Sequence, residues 1–365
     1  MAAQLASIVA QANVQRLSLV GLSKNVGKTT TTNHLLVTLL GERLYRPQEL
    51  ALTSLGLDGE ATDALTGLPK PRCVPQAGLL VATTADLLKQ AERAGAQIER
   101  LHQHPGWTAL GPVFLVRVLR PGGIVIAGPT LLSDLCSSLD LLQALGVRLS
   151  VVDGAINRLG AAAPGVTGAC ILCTGASAAA TPELVARRTA DLLARLTIGQ
   201  TQWTGAWKQQ GPQARLYRFT AGDKGSSSEH FSGSAGPVNE ARWIVRQMQA
   251  HRQPVFALHG AFTGELAQAL LAQLPAGSSY SRTELVVEDG TRIFCHSVAL
   301  QRLSARGLDI QVARPIRLLA LTMNPYTPEY ACTPQRLLDA LVRELPPGHP
   351  PIIDVVSGTT SVRTA

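Results

Sequence analysis

Lys28 closes a run, Leu17-Ser-Leu-Val-Gly21-Leu-Ser-Lys-Asn-Val-Gly27-Lys28-Thr29-Thr30, in which an apolar stretch breaks into a glycine-rich turn ending in Gly-Lys-Thr. That order reads as a strand, a phosphate loop and a helix start. Successive N–H groups of such a loop curl around a polyphosphate, and the helix N-terminus adds its partial positive charge. Gly21, Lys24, Asn25, Val26, Gly27, Lys28, Thr29 and Thr30 are then the nucleotide-contacting residues, with Lys28 on the β/γ-phosphates and the Thr29 hydroxyl on Mg²⁺. Gly21 and Gly27 are separated by Leu22 to Val26, one residue more than the usual pattern, so the loop is a longer variant. Thr31 to Leu40 continues with apolar residues at helical spacing, the context the motif requires.

A phosphate loop needs carboxylates for its metal, and two segments offer them. Glu49 to Leu55 reads as a second strand that empties into Gly56-Leu-Asp58-Gly59-Glu60-Ala-Thr-Asp63. At a strand's carboxyl end, Asp58 would ligate Mg²⁺ or serve as a base, with Glu60 the second choice. The same acids could instead cap a helix beginning near Ala61. Arg148-Leu-Ser-Val-Val-Asp153 is an apolar run ending in a carboxylate, which makes Asp153 the other metal-holding residue, directly or through water. Gly154 leaves room for a nucleotide-sensing switch, and Arg158 could reach phosphate or a partner. Lys24 does not stand at the spacing of a lysine donated across a dimer and is taken as a phosphate contact.

Around these residues, strand-like and helix-like segments alternate, which points to an α/β fold with a mostly parallel sheet flanked by helices, like that of P-loop NTPases. Residues 1–198 form the expected nucleotide-binding domain, and 199–237, rich in Gln, Gly and Ser, a linker or insertion. Residues 238–365 form a second α/β unit without a phosphate loop. Val113–Val118 and Ile124–Ala127, joined at Arg120-Pro-Gly-Gly123, are expected to pair as a hairpin, and Glu284–Phe294 to turn at Asp289-Gly290. Thr181-Pro182 starts a helix. Asn324-Pro-Tyr-Thr-Pro, at the end of a strand, is either a contact loop or a proline-set turn.

Other tempting residues carry less. Cys170 and Cys173 lie three apart in an apolar strand, so they point to opposite faces and read as core rather than metal ligands. His102 and His104 read as a loop surface, and Arg117 and Arg120 as exposed strand and turn residues. The six cysteines are too sparse for a disulfide scaffold, and no stretch has the length of a membrane span. The first residues lack the basic and apolar regions of a secretory signal. A reduced, cytoplasmic protein without a membrane partner is the expectation. Net charge is +8, yet no Lys/Arg run is interleaved with aromatics, so nucleic acid is not expected as a partner.

The phosphate loop, Leu52-Thr-Ser-Leu-Gly-Leu-Asp-Gly-Glu60, Lys70-Pro-Arg, Gly78-Leu-Leu-Val-Ala-Thr, Ala127-Gly-Pro, Val151-Val-Asp-Gly-Ala and Leu319-Ala-Leu-Thr-Met-Asn-Pro-Tyr-Thr-Pro together resemble, in order, the smaller nucleotide-binding subunit of the lysine 5,6-aminomutase reactivase. The likeness runs over most of the chain. It implies an ATP- and Mg²⁺-dependent factor that works with a larger ATPase subunit related to mismatch-repair proteins. Together they would restore an adenosylcobalamin- and pyridoxal-phosphate-dependent aminomutase whose cobalamin is damaged. This chain has no Asp-x-His-x-x-Gly loop for cobalt, so cobalamin contact belongs to the target enzyme. By itself, the phosphate loop is also similar to that of dethiobiotin synthetase, an ATP-dependent ligase, and of the guanine-nucleotide protein of molybdenum-cofactor maturation. Nothing in the sequence decides ATP over GTP.

Overall fold

In a computed structural model of the chain, the described residues are 3–56, 73–154, 159–209, 213–220, 229–275, 282–356 and 360–361. In chain order the first elements are α1 (Ala3–Ala12), β1 (Arg16–Gly21), α2 (Lys28–Gly41), β2 (Leu50–Ser54), β3 (Leu80–Thr84), α3 (Ala85–Arg93), β4 (Gln97–Thr108), β5 (Gly111–Arg120), α4 (Leu132–Ala144), β6 (Leu149–Asp153), β7 (Ala169–Gly175) and α5 (Pro182–Leu196). Next come α6 (Thr204–Gln209), β8 (Leu216–Thr220), β9 (Glu229–His230), α7 (Pro237–Ala250), β10 (Pro254–Leu258), β11 (Phe262–Thr263), α8 (Gly264–Gln273), β12 (Thr283–Val287), β13 (Ile293–Phe294), α9 (Ser297–Ser304) and β14 (Leu308–Val312). The last are β15 (Leu318–Asn324), α10 (Pro334–Glu344), β16 (Ile352–Asp354) and β17 (Thr360–Ser361).

The chain forms two compact units, and both are α/β. The first holds residues 1–190 and 317–365, the second 191–316. This differs from the expected boundaries at 198, 199–237 and 238–365. The segment expected as a linker supplies α6, β8 and β9 to the second unit, and the carboxyl-terminal strands β15 and β16 belong to the first. No helix among the described residues is long and apolar enough to cross a membrane.

The first unit is built on a ten-stranded sheet ordered β17-β16-β15-β7-β1-β6-β2-β3-β5-β4. From β16 to β3 the strands run parallel, with β17, β5 and β4 antiparallel at the two margins. β2, β3, β6 and β7 are buried at every residue, as expected of parallel strands covered on both faces. Cys170 and Cys173 are part of that covered interior, and burial raises both thiols, Cys170 to about 12. On one side of the sheet, Leu135, Leu139 and Leu142 of α4 pack against Ala51, Leu80, Leu115 and Val152. α5 starts as expected, with Thr181 Oγ1 accepting the Leu184 N–H and Pro182 at the first helical position.

The hairpin lies elsewhere than expected. β5 pairs antiparallel with β4 through a turn at Thr108–Gly111, and Arg120-Pro-Gly-Gly123 leads out of the sheet. Thr108 Oγ1 bonds both the Leu110 N–H and the Gly111 carbonyl, which sets the turn. His102 and His104 therefore lie on β4 rather than on a loop, and His104 is buried. Arg117 pairs with Glu99 at 2.6 Å, and Arg120 bonds the Gly95 carbonyl.

The second unit has a five-stranded sheet, β14-β12-β10-β8-β9, with β10, β12 and β14 parallel and β8 and β9 antiparallel. Its core gathers Ile244 and Met248 of α7, Leu266 and Leu270 of α8, and Phe256, Leu285 and Ile310 of the sheet. No hairpin turns at Asp289-Gly290. β12 pairs in parallel on both sides, and the buried Asp289 carboxylate accepts the Thr291 N–H at 2.8 Å and its hydroxyl at 2.6 Å, starting a short 3₁₀ turn. Asp289→Ala should cost about 1–2 kcal/mol as a lost cap, read as a lower urea midpoint. Asp289→Asn, which keeps the acceptor oxygen, should lose less than half of that.

Candidate functional site

β1 is the pivot of the first sheet. It lies between β6 and β7, with Leu19 opposite Asp153 and Gly21 opposite Cys173. The connection after β1 leads through α2 to β2 on one side, whereas the chain leaving β7 returns as β15 on the other. In open α/β sheets the crevice at such a reversal, outside the carboxyl ends of the strands, is where ligands bind. Residues 22–27 occupy that crevice.

The turn takes its shape from steric detail. Leu22 extends the ladder by donating its N–H to the Cys173 carbonyl at 2.9 Å. Asn25 (φ 59°) and Gly27 (φ 90°) are left-handed, which lets the chain reverse directly into α2. A Cβ on Gly21 would sit 3.0 Å from a Val26 methyl and 3.1 Å from Lys28 Cδ. Gly21 is thus the surface over which the Lys28 stem folds back.

Lys28 is 9% exposed, and among the described residues its ammonium forms no ion pair with a carboxylate. α2 begins without a side-chain cap, because its N-cap is Gly27, and its first turn holds no acidic residue. The first intrahelical bond runs from the Thr31 N–H to the Gly27 carbonyl, so the N–H groups before it have no acceptor within the helix. Orphan donors, a helix dipole and a covered lysine combine here into a site for negative charge.

The four threonines divide by role. Thr31 Oγ1 bonds the Gly27 carbonyl at 2.9 Å and Thr322 Oγ1 at 2.9 Å, and Thr32 Oγ1 bonds the Lys28 carbonyl at 3.2 Å. Those two hydroxyls lock the helix start to itself and to β15. Thr29 and Thr30 are half-buried on the first turn of α2, and among the described residues neither hydroxyl makes such a bond.

Asp153 ends β6 and is 7% exposed, flanked by Leu19 of β1 and Ser54 of β2. The buried Cys173 thiol, opposite Gly21 on β7, lies within the field of both charges. Burial raises it, and of the surrounding charges the Lys28 ammonium lowers it while the Asp153 carboxylate raises it. Burial pushes the Cys73 thiol up to about 12, and the Asp153 carboxylate adds to that rise. The structure brings Gly21, Lys24, Asn25, Val26, Gly27, Lys28, Thr29, Thr30 and Asp153 together at the carboxyl ends of β1 and β6. Asp58, Glu60 and Arg158 lie outside the described residues.

Of the outer wall of this loop, the sequence singles out Asn324, as the start of a contact loop or a proline-set turn, but not its place against residues 24–27. Asn324, at the end of β15, donates from Nδ2 to the Asn25 carbonyl at 3.4 Å and accepts the Tyr326 N–H at 3.0 Å. Ser177 Oγ, just past β7, donates to the Lys24 carbonyl at 3.3 Å, and Tyr330 donates to the Ala176 carbonyl at 2.9 Å. The small-residue exit at Gly175-Ala-Ser177 and the Asn324-Pro step both stand out in the sequence, but nothing local says that they meet across one turn. Comparison with protein-family models, with curated proteins and with solved structures finds no match for this chain.

Proposed function

We propose that the first unit is a P-loop NTPase-like domain that binds Mg-ATP at residues 21–30, and that the protein is a cytoplasmic, ATP-dependent reactivation or assembly factor for an adenosylcobalamin-dependent aminomutase. The observation that carries the nucleotide reading is Lys28. Its stem is folded over Gly21 beside an uncapped helix start, and it has no carboxylate partner among the described residues. The residues present fit the group: backbone N–H groups from Lys24 to Thr30 and the Lys28 ammonium would hold the phosphates, while the Thr29 hydroxyl and Asp153 would hold Mg²⁺. Bound Mg-ATP supplies a γ-phosphoryl group whose loss can release ordered segments. Asp58 and Glu60 would complete the metal site or orient the attacking water.

The target enzyme comes from the resemblance of the sequence to the smaller reactivase subunit, with a larger mismatch-repair-like ATPase as the second partner. The test uses the full chain with purified aminomutase inactivated by turnover. Mg-ATP binding, phosphate release and ATP-stimulated recovery of mutase activity together support the reading. Absence of association under every nucleotide condition would remove the reactivation role. Turnover of a small acid or amine with no protein present would favour the ligase chemistry of the dethiobiotin synthetase kind.

A further inference from the structure

The geometry points to Ser177 and Asn324 as positioning residues that aim the amides of the glycine-rich loop, an inference that rests on the reading of that loop as a polyphosphate site. A trans peptide is planar, so its C=O and its N–H point to opposite sides. The Lys24 carbonyl shares a peptide with the Asn25 N–H, and the Asn25 carbonyl shares one with the Val26 N–H. Ser177 Oγ holds the first of these carbonyls at 3.3 Å and Asn324 Nδ2 holds the second at 3.4 Å. With both oxygens drawn toward the exits of β7 and β15, the Asn25 and Val26 N–H groups are turned the other way, into the hollow of the turn. Ser23 Oγ adds a second bond to the Lys24 carbonyl at 3.1 Å. The Lys24 carbonyl therefore keeps a local donor when Ser177 is removed.

Three further contacts make Asn324 a fixed anchor. The Tyr326 N–H bonds its Oδ1, its Cβ lies 2.8 Å from where a Cβ on Gly27 would stand, and β15 is hydrogen-bonded to β7 as far as Gly175. Thr322, two residues earlier on the same strand, bonds Thr31 of α2. One strand end thereby sets both the loop's peptide planes and the helix that follows. A polyphosphate then meets donors already oriented, so less ordering is needed on binding.

Purified full-length protein and its Ser177→Ala, Asn324→Ala and Lys28→Ala variants should be titrated with Mg-ATP and with Mg-tripolyphosphate, while the backbone amide NMR shifts of residues 25–27 are followed. Asn324→Ala is expected to weaken both ligands equally, by about tenfold, and Ser177→Ala by about threefold, as loss of one modest hydrogen bond predicts. The equal effect on a ligand without a base is the signature of amide aiming, and the shift change at Val26 on binding should shrink with it. Ser177→Thr, which keeps the hydroxyl, should restore wild-type affinity. If Asn324→Ala and Ser177→Ala bind tripolyphosphate like the parent while Lys28→Ala does not, the positioning role is overturned and the loop reading survives. If the parent binds neither ligand, the loop reading itself is overturned, and this inference with it.

Discussion

Replacing Lys28 by Met is expected to weaken Mg-ATP binding about 100-fold while leaving the melting temperature within a few degrees of the parent. The two halves of that statement come from two parts of one side chain. The apolar stem lies across Gly21, with Cδ 3.1 Å from the position of a Gly21 Cβ, and Met reproduces that packing. The ammonium, which no carboxylate neutralises among the described residues, is what Met removes. Hydrogen bonds to charged groups contribute roughly 1.5–3 kcal/mol each, and a site on the β/γ-phosphates would lose at least one. Lys28→Ala should show the same affinity loss together with some loss of stability, because the stem goes too. Isothermal titration of both variants, alongside thermal unfolding, separates charge from packing. Unchanged affinity in Lys28→Met would mean that the turn is a structural reversal and nothing more.

That expectation was legible in the sequence because its signals are local. An apolar run ending in glycine, a Gly-Lys-Thr step and apolar residues at helical spacing all act within a few residues of one another, and β1, the turn and α2 follow from them. The same holds for β6, whose buried run stops at Asp153, and for the Thr181-Pro182 helix start. Strand addresses are not local. Leu318–Asn324 is as apolar beside β7 as it would be in a separate domain, and only the hydrogen-bond register, from Leu318 opposite Cys170 to Asn324 opposite Gly175, assigns it to the first sheet. Expecting a carboxyl-terminal domain from residue 238 onward follows from taking the chain in order, whereas the second unit is an excursion that begins within α5 and ends just before β15.

The misplaced hairpin has a different cause. Gln97-Ile-Glu-Arg-Leu-His-Gln-His104 carries the charges and polar residues that keep a marginal strand from pairing with other chains, and those residues hide its strand character. Pro121-Gly-Gly123, by contrast, advertises a turn and marks only the way out of the sheet. The placement of the loop's outer wall is hidden for a third reason. Ser177 and Asn324 are polar residues at strand ends, where a polar residue is ordinary, and their shared target becomes visible only when β7 and β15 lie side by side.

Gly128→Ala should lower the stability of the first unit by about 3 kcal/mol or more, the largest effect expected of any single methyl group in the described residues. Residues 124–129 form a strap over the carboxyl ends of β2 and β3. Thr83 Oγ1 donates to the Val125 carbonyl at 2.8 Å, Ala127 donates to the Ala82 carbonyl at 3.0 Å, and Gly56 and Gly128 exchange bonds with Pro129 and Gly56 at 2.7 and 3.0 Å. A Cβ on Gly128 would stand 1.8 Å from the Ser54 carbonyl oxygen and 2.9 Å from Thr53 Oγ1. Neither neighbour is the free end of a flexible chain, so the strap must lift, and these bonds break with it. For a unit of this size the loss corresponds to a melting point lower by roughly 6–12 °C. The damage should reach the site as well, because Ser54 lies opposite Asp153 and the chain leaves β2 toward Asp58. Magnesium-dependent affinity for ATP should therefore fall in the folded variant at low temperature, while metal-free binding changes less. A Gly128→Ala protein that melts within two degrees of the parent, by about the error of the measurement, would show that the strap gives way without cost and does not hold the end of β2.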